Sequence, residues 1–267
     1  MTHKIGCFVL LLICLTFYSP KGYASVEVVG ALKQVFSTNP GETVKGQIQI
    51  QNSDDKDQEV RIYQTDYLFN FKDQTYYENA GSTKRSNANW ISYSPKTVVL
   101  KGKDKKTIDF EIKAPTGDSI KGTYWSIIMV EGVEPINPQK SGDLNIRTAT
   151  RYAVQVVNEI NSKSEGLLKF NEPTLIKGSD DKSLFLAVDI VNEGEHYISP
   201  EVSIELYDEA GILVKKITAP RRGLYPSTSA RYKLSLEGVP SKKTYTAMIV
   251  AAGSENDVFG LEYTLYF

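Results

Sequence analysis

The stretch NPGETVKGQIQIQNSDDKDQEVRIYQTD, residues 39–66, decides the fold class. Val44, Ile48 and Ile50 fall on one face of an extended chain, and the lysine and glutamines between them fall on the other. A polar turn, NSDDKDQ, follows, and the alternation resumes at Val60. A period of two predicts strands with one buried and one wet face, as in an antiparallel sheet packed on one side. We therefore interpret the stretch as a β-hairpin.

The same alternation recurs along the chain, in short segments separated by turns rich in Gly, Pro, Asn and Asp. In the first half, further strands are predicted at residues 96–100, 107–113, 123–131 and 147–157. A second series is predicted at residues 167–176, 183–192, 201–207, 212–218, 229–236, 244–251 and 259–267. No amphipathic helix of three turns is apparent, so the sequence predicts an all-β protein.

The two halves of the chain echo each other. GTYWSIIMVEG at residues 122–132 matches KTYTAMIVAAG at residues 243–253 in its Thr, its Tyr, one Ile and its last Gly. The opening stretch has a counterpart at residues 186–208, where a strand, an Asn, a polar turn and a second strand follow in the same order. Two copies of one β-sandwich unit explain this pattern better than one large sheet.

We therefore predict two tandem immunoglobulin-like (Ig-like) sandwiches, at residues 25–160 and 166–267, joined by a linker at residues 161–165. Tyr124 and Tyr245 occupy the place of the tyrosine corner of that fold, just inside a late strand. The alternative for each tyrosine is an ordinary buried aromatic residue on a strand.

The N-terminal segment predicts export. Lys4 precedes an apolar run at residues 5–18, and a pattern of small residues ends at Ala24. These are the parts of a signal peptide, and we predict its cleavage after Ala24. The run is shorter than the roughly 20 residues that span a bilayer. The alternatives are a retained anchor and lipidation at Cys14, although Ile13 stands where lipoprotein signals have a small residue.

The composition argues against several classes of function. The chain has 31 basic and 32 acidic side chains, so it lacks the basic surface of a nucleic-acid-binding protein. Both cysteines, Cys7 and Cys14, lie in the signal segment, and no later run is apolar enough to span a membrane. His196 is the one histidine beyond that segment, so a single chain cannot assemble a multi-His metal site. We predict a protein that is no enzyme and uses no metal or cofactor.

Two weaker patterns fit turns better than chemistry. The acidic clusters at residues 54–57 and 180–181 lack the alternating spacing of a calcium loop, and Asx turns explain them. The S-x-x-K pairs at residues 53–56 and 179–182 lie in polar turns, where the lysine would stay solvated. Carboxylates are plentiful, so counting leaves a glycosidase-like pair open, but nothing singles one out.

Residues 145–157, NIRTATRYAVQVV, form the longest predicted strand of the first half. A long last strand of a domain can pair its edge with an incoming strand, with backbone hydrogen bonds for affinity and alternate side chains for selectivity. We predict that this strand contacts a protein client; the alternative is an ordinary interior strand. The candidate contact residues, with the apolar ones on one face and the arginines on the other, are Ile146, Arg147, Arg151, Tyr152, Val154 and Val156.

The first half resembles the N-terminal domain of the PapD-like periplasmic chaperones. The resemblance is carried by LKQVF at residues 32–36, PGETVKGQIQIQN at 40–52, WISYSPKTVVLKGKDKKTIDFEI at 90–112 and IRTATRYAVQVV at 146–157. It implies an exported bacterial protein of the periplasm that assists assembly of a pilus or another surface structure. Its partner would be a subunit of that structure or another protein client.

In that family, a basic pair in the cleft between the two domains anchors the C-terminal carboxylate of the client. The resemblance places the first-strand member of the pair at Lys33, which therefore joins the candidate client-binding residues. It places the last-strand member at Ala153, which carries no charge.

The two-domain layout is also similar to that of the WxL-interacting proteins of Gram-positive cell surfaces. PGET at residues 40–43, RYA at 151–153 and LYPSTSARY at 224–232 carry this resemblance. It implies the alternative function, a structural or adhesive module at the cell surface that binds a wall polymer or another surface protein.

Overall fold

The structure is a computed structural model that describes residues 26–117, 119–133, 150–161, 166–180, 182–253 and 257–267. These residues form two β-sandwiches in tandem, which confirms the predicted all-β, Ig-like class. Within the described ranges, one 3₁₀ turn, Ala88–Trp90, interrupts the strands of the first sandwich. In the described part of the chain, no helix has the length and apolar character needed to cross a membrane.

Among the described residues, ten strands in two sheets form the first sandwich. They are β1 (Val26–Val29), β2 (Lys33–Thr38), β3 (Thr43–Asn52), β4 (Gln58–Phe69), β5 (Thr75–Asn79), β6 (Ile91–Ser94), β7 (Thr97–Leu100), β8 (Lys105–Lys113), β9 (Gly122–Val133) and β10 (Arg151–Ile160). One sheet has the order β1-β3-β8-β6. The other has the order β2-β10-β9-β4-β5, with β7 also paired to β4.

The described part of the second sandwich contains eight strands. They are β11 (Leu168–Phe170), β12 (Thr174–Lys177), β13 (Leu184–Asn192), β14 (Glu201–Tyr207), β15 (Leu213–Ala219), β16 (Ser229–Ser235), β17 (Thr244–Ala252) and β18 (Val258–Tyr266). One sheet builds β11, β12 and β16 around β13, and the other has the order β15-β14-β17-β18. The single strand predicted at residues 167–176 is two short strands, because Pro173 lies between them and has no N–H for the ladder.

Each sandwich has its own apolar core. In the first, Ile48 and Ile50 of β3 and Val60 of β4 are at most 1% exposed. The glutamines that alternate with them, such as Gln49, are exposed. The buried and wet faces predicted for the opening stretch are therefore confirmed.

The opening stretch is nevertheless not a hairpin. Strand β3 pairs with β1 and β8 in one sheet, whereas β4 pairs with β5, β7 and β9 in the other. The polar turn at residues 53–57 therefore carries the chain across the sandwich. The hairpin prediction was wrong because period-two alternation indicates which face of a strand is buried and does not identify the neighbouring strand.

A buried asparagine, Asn52, ends the strand before this crossing. Its Nδ2 donates to the carbonyl oxygens of Lys56 at 2.7 Å, Lys101 at 3.1 Å and Leu100 at 3.2 Å. Its Oδ1 accepts from the N–H of Asp54 at 3.0 Å. One side chain thus ties the crossing turn to the strand end on the opposite sheet.

Asn192 repeats this arrangement in the second sandwich, at the end of β13. Its Nδ2 donates to the carbonyl oxygens of His196 at 2.7 Å and Leu224 at 3.0 Å. Its Oδ1 accepts from the N–H of Gly194 at 2.9 Å. Like Asn52, it donates to the carbonyl four residues ahead and accepts from the N–H two residues ahead, so the two halves share this crossing in atomic detail.

Tyr245 forms a tyrosine corner, as predicted. Its hydroxyl donates to the carbonyl oxygen of Pro240, five residues upstream, at 2.6 Å, and the residue is 2% exposed. Tyr124 packs differently: its ring lies 4.5 Å from that of Trp90, in a small cluster at one end of the first sandwich. The tyrosine-corner prediction is therefore confirmed at the second position alone.

We expect Tyr245→Phe to lower the free energy of unfolding by about 1–2 kcal/mol, because the Pro240 carbonyl would lose a buried donor. Urea denaturation followed by circular dichroism measures this difference. Tyr266→Phe is the matched control, since Tyr266 is 65% exposed. Equal stability of both variants would show that the corner bond does not stabilise the fold.

Candidate functional site: the cleft between the sandwiches

An aromatic cluster joins the two sandwiches. The ring of Trp125, in β9, stacks on that of Tyr225, in the second sandwich, with centroids 4.6 Å apart. The indole N–H of Trp125 donates to the carbonyl oxygen of Tyr67 at 2.7 Å, and Val157 of β10 packs in the same cluster. Trp125 and Tyr225 are each 2% exposed, so the junction is a buried core of its own.

The sequence of β9 explains why this sheet has a second covered face. Ile128 and Val130 face the core of the first sandwich. Trp125, Ile127 and Met129 alternate with them, and these three are 2%, 1% and 6% exposed. A strand that is covered on both sides shows a near-continuous apolar run, and TYWSIIMV is such a run.

Lys33 begins β2 beside this cluster. Its Nζ lies 3.4 Å from the centroid of the Tyr197 ring and 5.2 Å from that of Tyr225. These π faces attract the ammonium group. Among the residues that the structure describes, no carboxylate forms an ion pair with Lys33, so its charge is available to a ligand.

Gln155 of β10 lies directly opposite Lys33 in the parallel pairing of β2 with β10. Its Oε1 accepts a hydrogen bond of 2.7 Å from the Tyr225 hydroxyl. Burial raises the pKa of Tyr225, so this hydroxyl stays protonated and remains a donor. The Gln155 amide is therefore oriented by its oxygen, and its N–H groups can donate to a ligand beside Lys33.

A turn of the second sandwich, residues 193–197, is bonded to the start of β9. The N–H of Thr123 donates to the carbonyl oxygen of Glu195 at 2.8 Å. The hydroxyl of Thr123 accepts from the N–H of Tyr197 at 2.6 Å. A Cβ at Gly122, whose φ is +90°, would lie 2.3 Å from the Glu195 carbonyl oxygen, so glycine allows this close approach.

Ion pairs reinforce the same contact. The carboxylate of Glu195 lies 3.1 Å from Lys121 Nζ and 3.4 Å from Arg85 Nη2. The hydrogen bond from Lys121, together with the charges of Lys121 and Arg85, holds the pKa of Glu195 below its usual range. This side of the junction is thus charged, whereas the centre is aromatic.

Strand β10 has a neighbour on both sides over only part of its length. β9 pairs with all ten of its residues, from Arg151 to Ile160. β2 pairs with it from Gln155 onwards. Along residues 151–154, no described strand covers the edge opposite β9. This open edge ends at Gln155, the residue that pairs with Lys33.

The side chains that were predicted to contact a client differ in how exposed they are. Val154 and Val156 are 0% exposed inside the core of the first sandwich, so their side chains do not reach the surface of β10, and their contact with a client stays a prediction. Tyr152 is half-buried against the same core. Arg151 is exposed and forms an ion pair of 3.1 Å with Glu131.

Ile146 and Arg147 lie outside the described residues, so their predicted role stays a prediction. The face of β10 that is turned away from the core carries Arg151, Ala153 and Gln155. Client contacts were predicted on both faces of this strand. Of the described candidates, Arg151 is exposed, and no described strand covers the edge at residues 151–154 opposite β9.

The structure also explains the acidic turns. Asp180 accepts hydrogen bonds from the N–H and the hydroxyl of Ser183 at 2.9 and 2.7 Å, and these bonds lower its pKa. Asp54 and Asp57 likewise accept backbone N–H groups of their own turn and of the facing one. Within the described ranges, no group of three or more His, Cys, Asp or Glu side chains is arranged to hold a metal ion.

The sequence matches no protein-family model, and no curated protein matches it. Solved structures of similar fold do exist. A chain of the chaperone–tip adhesin complex of CFA/I fimbriae biogenesis matches with a TM-score of 0.51 and 13% identity, over 90% of this chain and 98% of that one. The class 5 fimbriae chaperone CfaA matches with a TM-score of 0.47 and 12% identity, over 89% and 98%.

A third structure, the Salmonella enterica SafA pilin in complex with the SafB chaperone, matches with a TM-score of 0.45 and 12% identity, over 91% of this chain and 97% of that one. The first of these similarities extends over nearly the whole of both chains. The fold is therefore the two-sandwich, PapD-like fold of the fimbrial chaperones, as the sequence resemblance implied.

Proposed function

We propose that this chain is an exported, non-enzymatic, chaperone-like protein that binds a protein client at the cleft between its sandwiches. The observation that carries the proposal is Lys33, a lysine without an ionic partner among the described residues, held on aromatic rings where an open strand edge ends. The fold it shares with fimbrial chaperones supports the same role.

The open edge of β10 at residues 151–154 is the proposed pairing site. A client strand can extend the sheet there through backbone hydrogen bonds, in the mode called β-augmentation. Arg151 and Ala153 would then face the client. The buried valines would keep the donor strand rigid from inside the sandwich.

Lys33 is the proposed anchor for the C-terminal carboxylate of the client. A lysine supplies a point charge without the paired donors of an arginine. Gln155, its neighbour across the strand pair, would supply the second donor. The proposed anchor therefore consists of the Lys33 ammonium and the Gln155 amide, because the side chain of Ala153 is uncharged.

The predicted export signal and the fold support a periplasmic location and a client that is a subunit of a pilus or another surface structure. The alternative, a surface module that binds a wall polymer or another surface protein, predicts a different location. Release by osmotic shock would favour the chaperone, and loss on protease shaving of intact cells would favour the surface module.

We expect Lys33→Ala to reduce client capture roughly ten-fold or more, because loss of a charge-assisted contact is worth a factor of this order. The measurement is quantitative mass spectrometry of proteins that co-purify with the tagged chain from the periplasm. Lys33→Arg should retain most of the capture, and Lys45→Ala, an exposed lysine on the opposite sheet, should leave it unchanged. Capture by Lys33→Ala at the level of the original chain would contradict the anchor.

A further inference from the structure

The hairpin between β4 and β5 extends from the first sandwich and contacts the second. We call residues 69–74, at its tip, the strap. The strap has a defined shape: the N–H of Asn70 donates to the carbonyl of Gln74 at 3.1 Å, and Asn70 Oδ1 accepts from the N–H of Lys72 at 2.9 Å. The strap is therefore a folded turn with hydrogen bonds of its own.

Three contacts join the strap to the second sandwich. The N–H of Phe71 donates to Ser229 Oγ at 3.0 Å. The guanidinium of Arg231 lies 5.7 Å from the centroid of the Phe71 ring. The third contact is an ion pair between Asp73 of the strap and Arg222 of the second sandwich, with Oδ1 and Nη2 3.5 Å apart.

The surface that receives the strap is itself fixed. Arg231 Nε and Nη2 each donate to one oxygen of Asp189 at 2.7 Å, so the guanidinium cannot rotate freely. This hydrogen bonding raises the pKa of Arg231. Asp189 is 8% exposed, in the central strand β13. The strap thus rests on a rigid element of the second sandwich.

The strap also continues into the junction core. Phe69 packs against the core of the second sandwich, and its ring centroid is 6.4 Å from that of Tyr225. Tyr225 is the ring on which Trp125 stacks. The strap and the aromatic cluster are therefore one continuous contact.

The strap and the turn at residues 193–197 attach the second sandwich to different strands of the same sheet. Strand β5 is the edge strand of the order β2-β10-β9-β4-β5, whereas the turn at residues 193–197 contacts the start of β9, in the middle. The strap joins β4 to β5, so it lies between one and two strand spacings from β9, which is roughly 5–10 Å. A rotation of one sandwich that pivots on either attachment would displace the other, whereas a single attachment would leave the relative motion that is usual between domains.

We propose that the strap is a lock, which fixes the angle between the sandwiches and so keeps the cleft at Lys33 at one width. This property is independent of what the cleft binds. It assigns a role to Phe71 and Asp73, which lie far from Lys33 along the sheet.

Spin-label distance measurements test the lock. Labels are placed at Lys106→Cys in β8 and Thr218→Cys in β15, two exposed positions on different sandwiches, with Cys7 and Cys14 changed to Ser. The otherwise unchanged chain should give one narrow distance distribution. The double variant Phe71→Ala, Asp73→Asn should give a distribution roughly two-fold wider.

Lys72→Ala is the matched control, since its side chain is exposed on the same turn, and it should leave the distribution narrow. Ser229→Ala removes the acceptor on the opposite side and should widen it as well. Circular dichroism of each variant checks that the sandwiches remain folded. The proposal would be overturned if the double variant and Ser229→Ala both gave distance distributions as narrow as that of the Lys72→Ala control.

Discussion

Replacing Trp125 by alanine is expected to lower the free energy of unfolding by about 3–5 kcal/mol, the range for removing a large buried aromatic side chain. The indole fills the junction at 2% exposure, stacks on Tyr225 and satisfies the carbonyl of Tyr67. Because this residue belongs to the contact between the sandwiches, the loss should also separate their unfolding. Calorimetry should then show two transitions, whereas the original chain should show one.

Trp125→Phe separates packing from hydrogen bonding at this position. Phenylalanine can keep a stacked ring on Tyr225, but it leaves the Tyr67 carbonyl without its donor, so we expect a smaller loss of about 1–2 kcal/mol and a single transition. A Trp125→Ala variant that unfolds in one transition with less than about 1 kcal/mol of lost stability would show that the junction is not a structural core.

The fold class and most strands could be predicted from the sequence, because a strand with one buried face shows alternating apolar and polar residues. Residues 201–207 were predicted as a strand from alternation alone, and β14 has those bounds. The echo between the halves was also informative: it placed Asn52 and Asn192 at equivalent positions, and both form the same crossing. Such features depend on residues that are close together in the chain.

Strand neighbours and the cleft could not be predicted in the same way. One neighbour of β3 is β8, some 60 residues later, and no local pattern selects it over β4. Lys33 is held by Tyr197 and Tyr225, which are close to it only after both sandwiches have folded and docked. The usable signal was indirect: apolar residues on both faces of β9 indicate a second covered face but not what covers it.

Asn52→Ala is expected to cost about 2–4 kcal/mol, because it leaves several buried backbone groups without their partner. The residue is 0% exposed, and its amide is shared among three carbonyl oxygens while its oxygen accepts one N–H. Urea denaturation measures the loss. Gln49→Ala, an exposed position on the same strand, is the control and should change stability by less than about 0.5 kcal/mol.

Asn52→Asp sharpens the test because it keeps the size and removes the donor. A carboxylate there would face the carbonyl oxygens of Lys56, Leu100 and Lys101, so it should cost at least as much as alanine at neutral pH and less when the solution is acidic enough to protonate it. Asn192→Ala should cost a similar amount to Asn52→Ala, since the same amide tethers the second crossing. If the alanine variants were as stable as the Gln49→Ala control, the crossing turns would be held by their backbone alone.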